Sequence, residues 1–390
     1  MASPASSTDL LRGIDVSCSP PASDREGRRG GPRNGDGRPN ASTERLWTLE
    51  HLGIVMEPDA TNPCEAGGVL NPAAARSPDG RLYLLPRLVA AGNYSRIGLA
   101  RVITNRHHVP SRVERMGVVL QPGAPYELNG RSGGGVEDAR VTYFKPWKLY
   151  LMTYTTYGPH GPRVAAASSI DLIHWRRIGL LRFAPHHGVD IEAVDNKDAV
   201  LFPEPVKAPD GRAAMALIHR PIFDGVAGFL DQHHQPGMWL SYAPLGKLAG
   251  PKQLLFGQHH LLASPEQGWE QLRIGAGAPP LRLGDTWLLL YHGVSGRIAE
   301  GIDQQQAVRY AAGMLLLDTR DPRKIVHRAR YPVLEPELQT ERAGIVPNVV
   351  FPTGLDVPRA NVLDVYYGMA DSRIGVARGR LADLMAISAG

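Results

Sequence analysis

The feature that most constrains this chain is a repeat of paired apolar strands that recurs five times from about residue 46 onward. Each repeat has a Gly or Asp turn, a short apolar strand that ends in a polar or aromatic residue, a gap, and a second strand of small and apolar residues. The first strands are LYLLPR at 82–87, LYLMTY at 149–154, AMALIHR at 214–220, WLLLYHG at 287–293 and NVLDVYYG at 361–368. Their partners are IGLARV at 97–102, VAAASS at 164–169, MWLSYAP at 238–244, YAAGMLLLD at 310–318 and IGVARG at 374–379. Strand pairs recurring about every 65 to 75 residues, with no amphipathic helices between them, predict an all-β fold, a five-bladed β-propeller.

The composition agrees with many short elements joined by turns. The 390 residues include 43 Gly and 33 Pro, more than average usage, and both residue types mark turns. Residues 1–45 are rich in Pro, Gly, Ser and Arg and almost lack aliphatic residues after Val16, which predicts a disordered tail. The propeller domain is then predicted at 46–390. A generic β-sandwich or barrel is the alternative to the propeller.

The ends of the first strands predict where a site lies. In a propeller, equivalent strand ends converge on one mouth of the central channel. Here they carry polar or aromatic side chains, namely Arg87, Tyr154, Arg220, His292 and Tyr367. We therefore expect these side chains to ring a common pocket. In a sandwich they would be ordinary strand ends.

The sharpest local motif is SGGGVEDARVTYF at 132–144, where a Gly run opens into a strand that carries Glu137, Asp138 and Arg140. Because successive side chains of a strand face opposite ways, Glu137 and Asp138 are not expected to point into one pocket. Asp138 and Arg140 share a face, so Arg140 either orients and tunes Asp138 or pairs with it structurally. An isolated Glu-Asp dipeptide is more often a solvated turn than a catalytic site.

Three cations stand beside apolar strands: Lys197, Arg220 and Arg273. Charges removed from water need partners of opposite sign. If the three converge, their natural guest is a tetrahedral oxyanion, which Arg binds bidentately and Lys binds as a point charge. No Gly-rich phosphate loop occurs, so side chains would have to hold a phosphate. Otherwise the three cations are structural.

Other classes of protein are disfavoured by the same sequence. Two Cys cannot form a disulfide framework, the 14 His lack the spacing of known metal sites, and no nucleophile elbow suggests acyl transfer. A net charge of +5 without a basic aromatic run argues against nucleic acid as a partner. No apolar stretch is long enough to cross a bilayer. We therefore expect no metal, no cofactor, no nucleic-acid or membrane partner, and a cytoplasmic location.

From about residue 55 to 380 the sequence resembles glycoside hydrolase family 130, whose members are five-bladed propeller enzymes that act on β-mannosides. The resemblance is carried by segments in the family's order, namely NPAAARSPDGRLYLLPR, GVEDAR, DNKDAVLFPEP, ALIHRP, RIGAGAPP, LLLYHG, YAAGMLLLD, GIVPNVVFPTG and YYGMAD. Two positions depart from the family's pattern: Ala139 stands where Pro is usual, and Arg273 stands where Lys is typical. Neither departure removes a charge.

The resemblance implies a role for each residue at a matching position. Asp138 is implied to be the single catalytic acid, which protonates the glycosidic oxygen through the 3-hydroxyl of the bound sugar. Asn71, Arg87 and Asp371 are implied to contact that sugar, and Arg140 is predicted to join them as a substrate-binding residue. The phosphate-binding positions of phosphorylase members correspond to Lys197, Arg220, Arg273, His292 and Tyr310.

The activity implied by the resemblance is that of an inverting β-mannoside phosphorylase, a glycosyltransferase-type enzyme that takes a β-mannoside oligosaccharide and inorganic phosphate and reversibly yields mannose 1-phosphate. An inverting hydrolase needs a second carboxylate to activate water, whereas phosphate is itself the nucleophile. Hydrolytic members replace the phosphate-binding cations by acidic residues, and the cations are present here. Glu137, Glu192 and Glu204 keep an inverting β-mannosidase open, and a non-catalytic glycan-binding propeller is a further alternative. β-1,2 and β-1,4 linkages, the acceptor sugar and a homo-oligomer also stay open.

Overall fold

The structure is a computed structural model that describes residues 47–129, 133–223, 233–245, 254–298 and 305–388. Within these ranges the fold is all-β, as predicted, with 23 strands and two α-helices. The helices are short, because α1 spans Gln339–Arg342 and α2 spans Leu381–Ser388. In the described part of the chain, no helix is long and apolar enough to span a membrane. The tail predicted at 1–45 lies outside the described residues.

The first strand, β1, spans Glu50–Met56. The next eight strands along the chain form the largest sheet. Its strands are β2 (Gly68–Arg76), β3 (Leu82–Ala90), β4 (Tyr94–Thr104), β5 (Pro110–Leu120), β6 (Gly134–Phe144), β7 (Leu149–Gly158), β8 (Gly161–Ser169) and β9 (Arg176–Leu180). The strands β2–β5 and β6–β9 form two antiparallel runs. The two runs are joined where Tyr94 and Ser95 of β4 lie parallel to Gly134 and Gly135 of β6.

Three smaller sheets contain the remaining strands. The six-stranded sheet contains β10 (Arg182–Phe183), β11 (Asp195–Leu201), β12 (Val206–Lys207), β13 (Ala213–Ile222), β14 (Met238–Pro244) and β15 (Leu255–Ala263). The five-stranded sheet contains β16 (Arg273–Ala276), β17 (Leu281–Leu283), β18 (Thr286–Gly296), β19 (Val308–Asp318) and β20 (Ile325–Arg328). The last sheet contains β21 (Val350–Arg359), β22 (Val362–Met369), β23 (Arg373–Arg380) and β1. The first strand of the described chain therefore completes the last sheet, by antiparallel pairing with β23.

The five strand pairs predicted from the repeat are all present and antiparallel. They are β3 with β4, β7 with β8, β13 with β14, β18 with β19, and β22 with β23. These strands are buried on both faces, and in β18 the nine residues from Thr286 to Val294 are all buried. Burial on both faces explains why the sequence shows continuous apolar runs instead of an alternating pattern.

Four buried glutamates recur just before β2, β6, β16 and β21, namely Glu65, Glu127, Glu270 and Glu341. Each accepts a hydrogen bond from a backbone N–H of its own turn. Three of them also accept a hydrogen bond from a buried tyrosine: Tyr154 to Glu127 at 2.8 Å, Tyr291 to Glu270 at 2.8 Å, and Tyr367 to Glu341 at 2.7 Å. The repeat therefore extends to buried polar groups, and each tyrosine ties a strand to the turn that starts its run.

The prediction that Tyr154 and Tyr367 line the common pocket is wrong, because both side chains are buried in these tyrosine–glutamate pairs. In β18 the corresponding tyrosine is Tyr291, which is the neighbour of His292. The equivalence assumed from sequence was therefore shifted by one residue. Such a shift moves a side chain to the other face of its strand.

Candidate active site

Four polar residues at the site have a left-handed backbone. They are Asn71, Asp138, Asp198 and Asp371, with φ angles of 45°, 49°, 54° and 49°. The first three lie at β-bulges, where β2, β6 and β11 lose register with their neighbours. Left-handed backbone is uncommon outside Gly and costs about 1 kcal/mol or more, so its recurrence at equivalent bulges indicates a functional constraint on these side chains.

Asp138 belongs to an acid cluster around the guanidinium of Arg87. Asn71 Nδ2 donates to Asp138 Oδ1 at 2.9 Å, and Arg87 Nη1 donates to the same oxygen at 3.4 Å. Arg87 Nη2 donates to Glu137 Oε1 at 2.8 Å, and Arg87 Nε donates to Ser95 Oγ at 2.9 Å. Two neighbouring carboxylates therefore share one cation, which is held in place from its other side.

The expectation that Glu137 and Asp138 face different pockets is wrong, since both contact Arg87. The alternation of side chains holds for a regular strand. Here the register shifts between Glu137 and Arg140, and Asp138 is left-handed, so the alternation is interrupted. The Gly run before this motif was a sequence signal for irregular backbone.

Asp371 belongs to the same acid cluster and lies in the turn between β22 and β23. Burial raises the pKa of Asp371 to about 6; Arg87 opposes this rise, and the negative charges of Asp138 and Glu137 reinforce it. Three carboxyl groups thus surround one guanidinium. The Asp371 carboxyl therefore keeps its proton to a higher pH than an ordinary aspartate, because a further negative charge beside two carboxylates is unfavourable.

Gly368 makes room for the acid cluster. A Cβ atom at Gly368 would collide with Asn71 Oδ1. Only glycine at this position of β22 therefore allows Asn71 to reach Asp138.

Arg140 is almost fully buried and binds backbone oxygens instead of the Asp138 carboxylate. Its Nε donates to Gly277 O at 2.5 Å, and its Nη1 donates to Asp138 O at 2.7 Å. The side chain therefore connects β6 with the segment after β16 and fixes the bulge that carries Asp138. Its Nη2 has no hydrogen-bond partner among the described residues.

A cation cluster lies beside the acid cluster. Lys197 of β11 is directly opposite Arg220 of β13, and Arg220 Nε donates to Asp198 Oδ2 at 2.8 Å. His292 Nε2 lies 3.8 Å from the same Asp198 oxygen. The Lys197 ammonium lies 5.7 Å from the centre of the Tyr157 ring, a cation–π distance.

Arg273 and Tyr310 complete the cation cluster. Arg273 Nη2 donates to the Tyr310 hydroxyl at 2.5 Å. Burial raises the pKa of Tyr310, while the charges of Arg273 and Arg220 lower it and that of Asp371 raises it. Tyr310 is therefore electrostatically coupled to both clusters. Together with Arg140, which supports the bulge at Asp138, the two clusters contain all ten residues predicted for the site.

His292 is neutral within the cation cluster. Burial lowers the pKa of His292 to about 3, an effect that Asp198 opposes and that Arg220, Arg140 and Arg273 reinforce. The ring stacks near Phe351, with the ring centres 4.4 Å apart. A Cβ at Gly275 would collide with Asp198 and with the His292 ring, so glycine is required where these two side chains meet.

Sequence reasoning missed Asp198. This buried carboxylate contacts Arg220, and the nearby cations hold its pKa well below the usual range. It stays charged and offsets part of the positive charge of the cluster. The signal that could have found it is an aspartate directly after Lys197 and before the apolar end of the same strand.

The site thus places a cluster of three carboxyl groups next to a cluster of cations in an all-β chain. Such an arrangement can donate a proton from a carboxyl group and hold an anion at the cations. Carboxyl groups that donate a proton in this way are typical of enzymes that cleave glycosides. The sequence comparison identifies the family: the chain belongs to glycoside hydrolase family 130, because residues 63–389 match the family described as β-1,4-mannooligosaccharide phosphorylase.

Curated relatives and solved structures agree with this family. A 1,2-β-oligomannan phosphorylase of Thermoanaerobacter sp. is 30% identical over 333 residues, which is 85% of this chain and 96% of the relative. A β-1,2-mannobiose phosphorylase of Thermoanaerobacter sp. is 33% identical over 246 residues, 62% of this chain and 66% of the relative. The structure of the Listeria innocua β-1,2-mannobiose phosphorylase with β-1,2-mannobiose has a TM-score of 0.64 at 22% identity, and the match covers 85% of this chain and 96% of that chain. This last match supports the fold.

Proposed function

We propose that this chain is an inverting β-mannoside phosphorylase, which uses inorganic phosphate to cleave a β-mannoside and yields mannose 1-phosphate. Membership of the family and the activities named for its relatives support phosphorolysis of β-mannosides. The observation that carries the proposal is the cation cluster of Lys197, Arg220 and Arg273 beside the acid cluster. The reaction is of the glycosyltransferase type, because the mannosyl group is transferred to phosphate.

In the proposed mechanism Asp138 is the proton donor. Its proton passes through the 3-hydroxyl of the mannosyl residue to the glycosidic oxygen, and the bond between that oxygen and C1 breaks. A phosphate oxygen forms the new bond to C1 from the opposite face, so the configuration inverts. Asn71 and Arg87 hold Asp138 through its Oδ1 atom.

Phosphate must approach an acid cluster that carries negative charge. In the proposal, Lys197, Arg220 and Arg273 offset this repulsion, and the Tyr310 hydroxyl adds a hydrogen bond. Phosphate is the co-substrate, and no step of the mechanism requires a cofactor.

The proposal includes the fold, a five-bladed propeller at 46–390. Five successive groups of mainly antiparallel strands support it: β2–β5, β6–β9, and the six-, five- and four-stranded sheets. In addition, β2 contacts β21 and β22, so the first and last groups are neighbours, as closure of a ring requires.

An inverting β-mannosidase is the alternative that one observation favours. Such an enzyme needs a base near Asp138, and Glu137 contacts the same guanidinium as Asp138. The other two candidates form ion pairs, Glu192 with Arg182 and Glu204 with Lys145. Glu137 is therefore the base to test.

The deciding experiment incubates the purified chain with β-1,2- and β-1,4-mannobiose and with mannosyl-glucose disaccharides, with and without phosphate. Mannose 1-phosphate that forms only with phosphate supports the proposal. Free mannose independent of phosphate, lost in Glu137→Gln, supports the hydrolase instead. The absence of both products together with saturable glycan binding would point to a binding propeller. An Arg220→Ala variant serves as the control, because it should raise the KM for phosphate more than the KM for the mannoside.

A further inference from the structure

A cavity lies near the candidate active site, between the β7–β9 strands and the segment that leads from β10 to β11. Its volume is about 380 Å³, which is within the range of small-ligand sites. Its walls combine aromatic rings with polar groups, including Tyr126, Phe183, His160, Arg182, Glu192 and Asn196. None of these residues belongs to the acid cluster or the cation cluster.

Two strands connect the wall of the cavity to the candidate active site. Gly158 and Asn196 line the cavity, and their chain neighbours are Tyr157 and Lys197, which contact each other at the edge of the cation cluster. Tyr157 pairs with Gly135 of β6, three residues before Asp138. Three residues of a β-strand, at about 3.3 Å each, span about 10 Å. One hexose does not span such a distance, but a longer oligosaccharide does.

A chain of buried hydrogen bonds fixes the orientation of Asn196 in the cavity wall. A carbonyl can only accept, so His259 Nε2 donates to Ala184 O at 2.8 Å. Burial lowers the pKa of His259 and of His219, so both rings are neutral. His259 Nδ1 therefore accepts from Ser241 Oγ at 2.7 Å, and Ser241 Oγ accepts from His219 Nε2 at 2.7 Å. His219 Nδ1 is then without hydrogen and accepts from Asn196 Nδ2 at 3.0 Å.

The direction of this chain determines what Asn196 offers a ligand. Asn196 Oδ1 lies 3.1 Å from His219 Nδ1 but receives no hydrogen from it, since that nitrogen is an acceptor. The oxygen remains able to accept a hydrogen bond from a hydroxyl group. Asn196 lines the cavity and is otherwise buried, and its hydrogen bond to His219 holds the amide in place.

The charges in the cavity wall favour a neutral guest. Arg182 pairs with Glu192 at 2.6 Å. Arg163 donates to the Asp195 carboxylate at 2.8 Å and to two backbone oxygens, Glu192 O and Ala193 O. Because these cations are paired, a hydroxyl-rich neutral molecule suits the cavity better than a second phosphate. Aromatic rings such as Tyr126 and Phe183 suit the apolar faces of a sugar.

We propose that this cavity is an accessory subsite for the part of a mannooligosaccharide that lies beyond the cleaved bond, with Asn196 as a specificity-determining residue that accepts a sugar hydroxyl. The inference rests on the proposed function, and it adds a preference for substrate length. A disaccharide occupies only the site at Asp138, whereas longer substrates also fill the cavity.

The test measures kcat/KM for phosphorolysis of mannooligosaccharides of two to five units, in the linkage that the chain cleaves. For the unmodified protein, we expect kcat/KM to rise about fivefold or more from the disaccharide to the tetrasaccharide. Arg182→Ala and His160→Ala alter exposed residues at the rim, and each should reduce or remove the rise without changing the disaccharide value. Asn196→Ala should lower the tetrasaccharide value about tenfold. Arg359→Ala, an exposed arginine that does not line this cavity, is the matched control and should change neither value.

The outcomes separate the two proposals. Disaccharide phosphorolysis with a flat dependence on length would overturn the subsite while leaving the proposed function intact. If no mannoside is turned over, tetrasaccharide binding is measured by calorimetry on the same proteins. Binding that weakens in Arg182→Ala and His160→Ala but not in Arg359→Ala supports the subsite, and the absence of binding overturns it.

Discussion

The single positive charge of Arg87 lies near three carboxyl groups. This excess of acidic groups sets the chemistry of the acid cluster. The guanidinium contacts Glu137 and Asp138 directly and is electrostatically coupled to Asp371. Burial makes a third full negative charge costly. This crowding of carboxyl groups holds the pKa of Asp371 above its ordinary value, and two predictions at the scale of single residues follow.

Asp138→Asn should abolish phosphorolysis while leaving the fold intact. The amide keeps the size of the side chain and tolerates the left-handed backbone, but it cannot donate the proton. We expect kcat to fall by about 10²- to 10⁴-fold, the usual contribution of a general acid. Product formation gives kcat, and circular dichroism with thermal melting checks the fold. Turnover near that of the unmodified protein would refute the assignment, and Glu137→Gln is the matched control that should lose far less activity.

Asp371→Asn should stabilise the protein at neutral pH and not at pH 4. Between the ordinary pKa of 3.8 and the raised value of about 6, the folded chain keeps a proton that the unfolded chain has lost. Stability contributed by this group therefore falls as pH rises through that window, and the asparagine removes the loss. Urea unfolding should show a difference in the free energy of unfolding that grows from near zero at pH 4 to about 1 to 3 kcal/mol at pH 7. A difference that is the same at both pH values would contradict the assigned pKa.

At the scale of elements, the strands were predictable because their apolar runs are long, bounded by turns and repeated. The faces of the strands were less predictable. Continuous apolar runs carry no alternation to fix register, so Tyr154 was matched to His292 when its structural equivalent is Tyr291. Asp198 and the convergence of Glu137 with Asp138 depend on bulges, which leave little trace in the sequence.

The alignment of Tyr154 with Tyr291 instead of His292 can be tested by two neighbouring substitutions in β7. Tyr154→Phe removes the hydrogen bond to buried Glu127 and should cost about 1 to 2 kcal/mol of unfolding free energy, with KM and kcat unchanged. Thr155→Val alters the residue directly opposite Glu137 and should raise the KM for the mannoside. Urea unfolding and steady-state kinetics on both variants decide the matter. A kinetic effect of Tyr154→Phe alone would restore the original alignment.

At the scale of the whole molecule, the first and last parts of the described chain stabilise each other. β1 pairs with β23, and Trp47 Nε1 donates to Arg380 O at 3.0 Å. Trp47, Leu49, Val55 and Met56 are buried, and each such side chain contributes about 1.5 to 3 kcal/mol relative to exposure. Their sum is comparable with the total stability of a typical domain. Loss of β1 is therefore expected to destabilise the rest of the described chain as well.

Removal of residues 1–56, which includes β1, should therefore abolish cooperative unfolding, whereas removal of residues 1–46 should leave the melting temperature and kcat unchanged. The longer deletion exposes the backbone edge of β23 and the apolar groups that Trp47 and β1 cover, so the variant should aggregate or melt far below the shorter one. Thermal melting and size-exclusion chromatography of the two variants give the comparison. A folded, active protein without β1 would show that closure of the last sheet is dispensable. A loss of activity in the shorter deletion would assign residues 1–46 a function in the reaction.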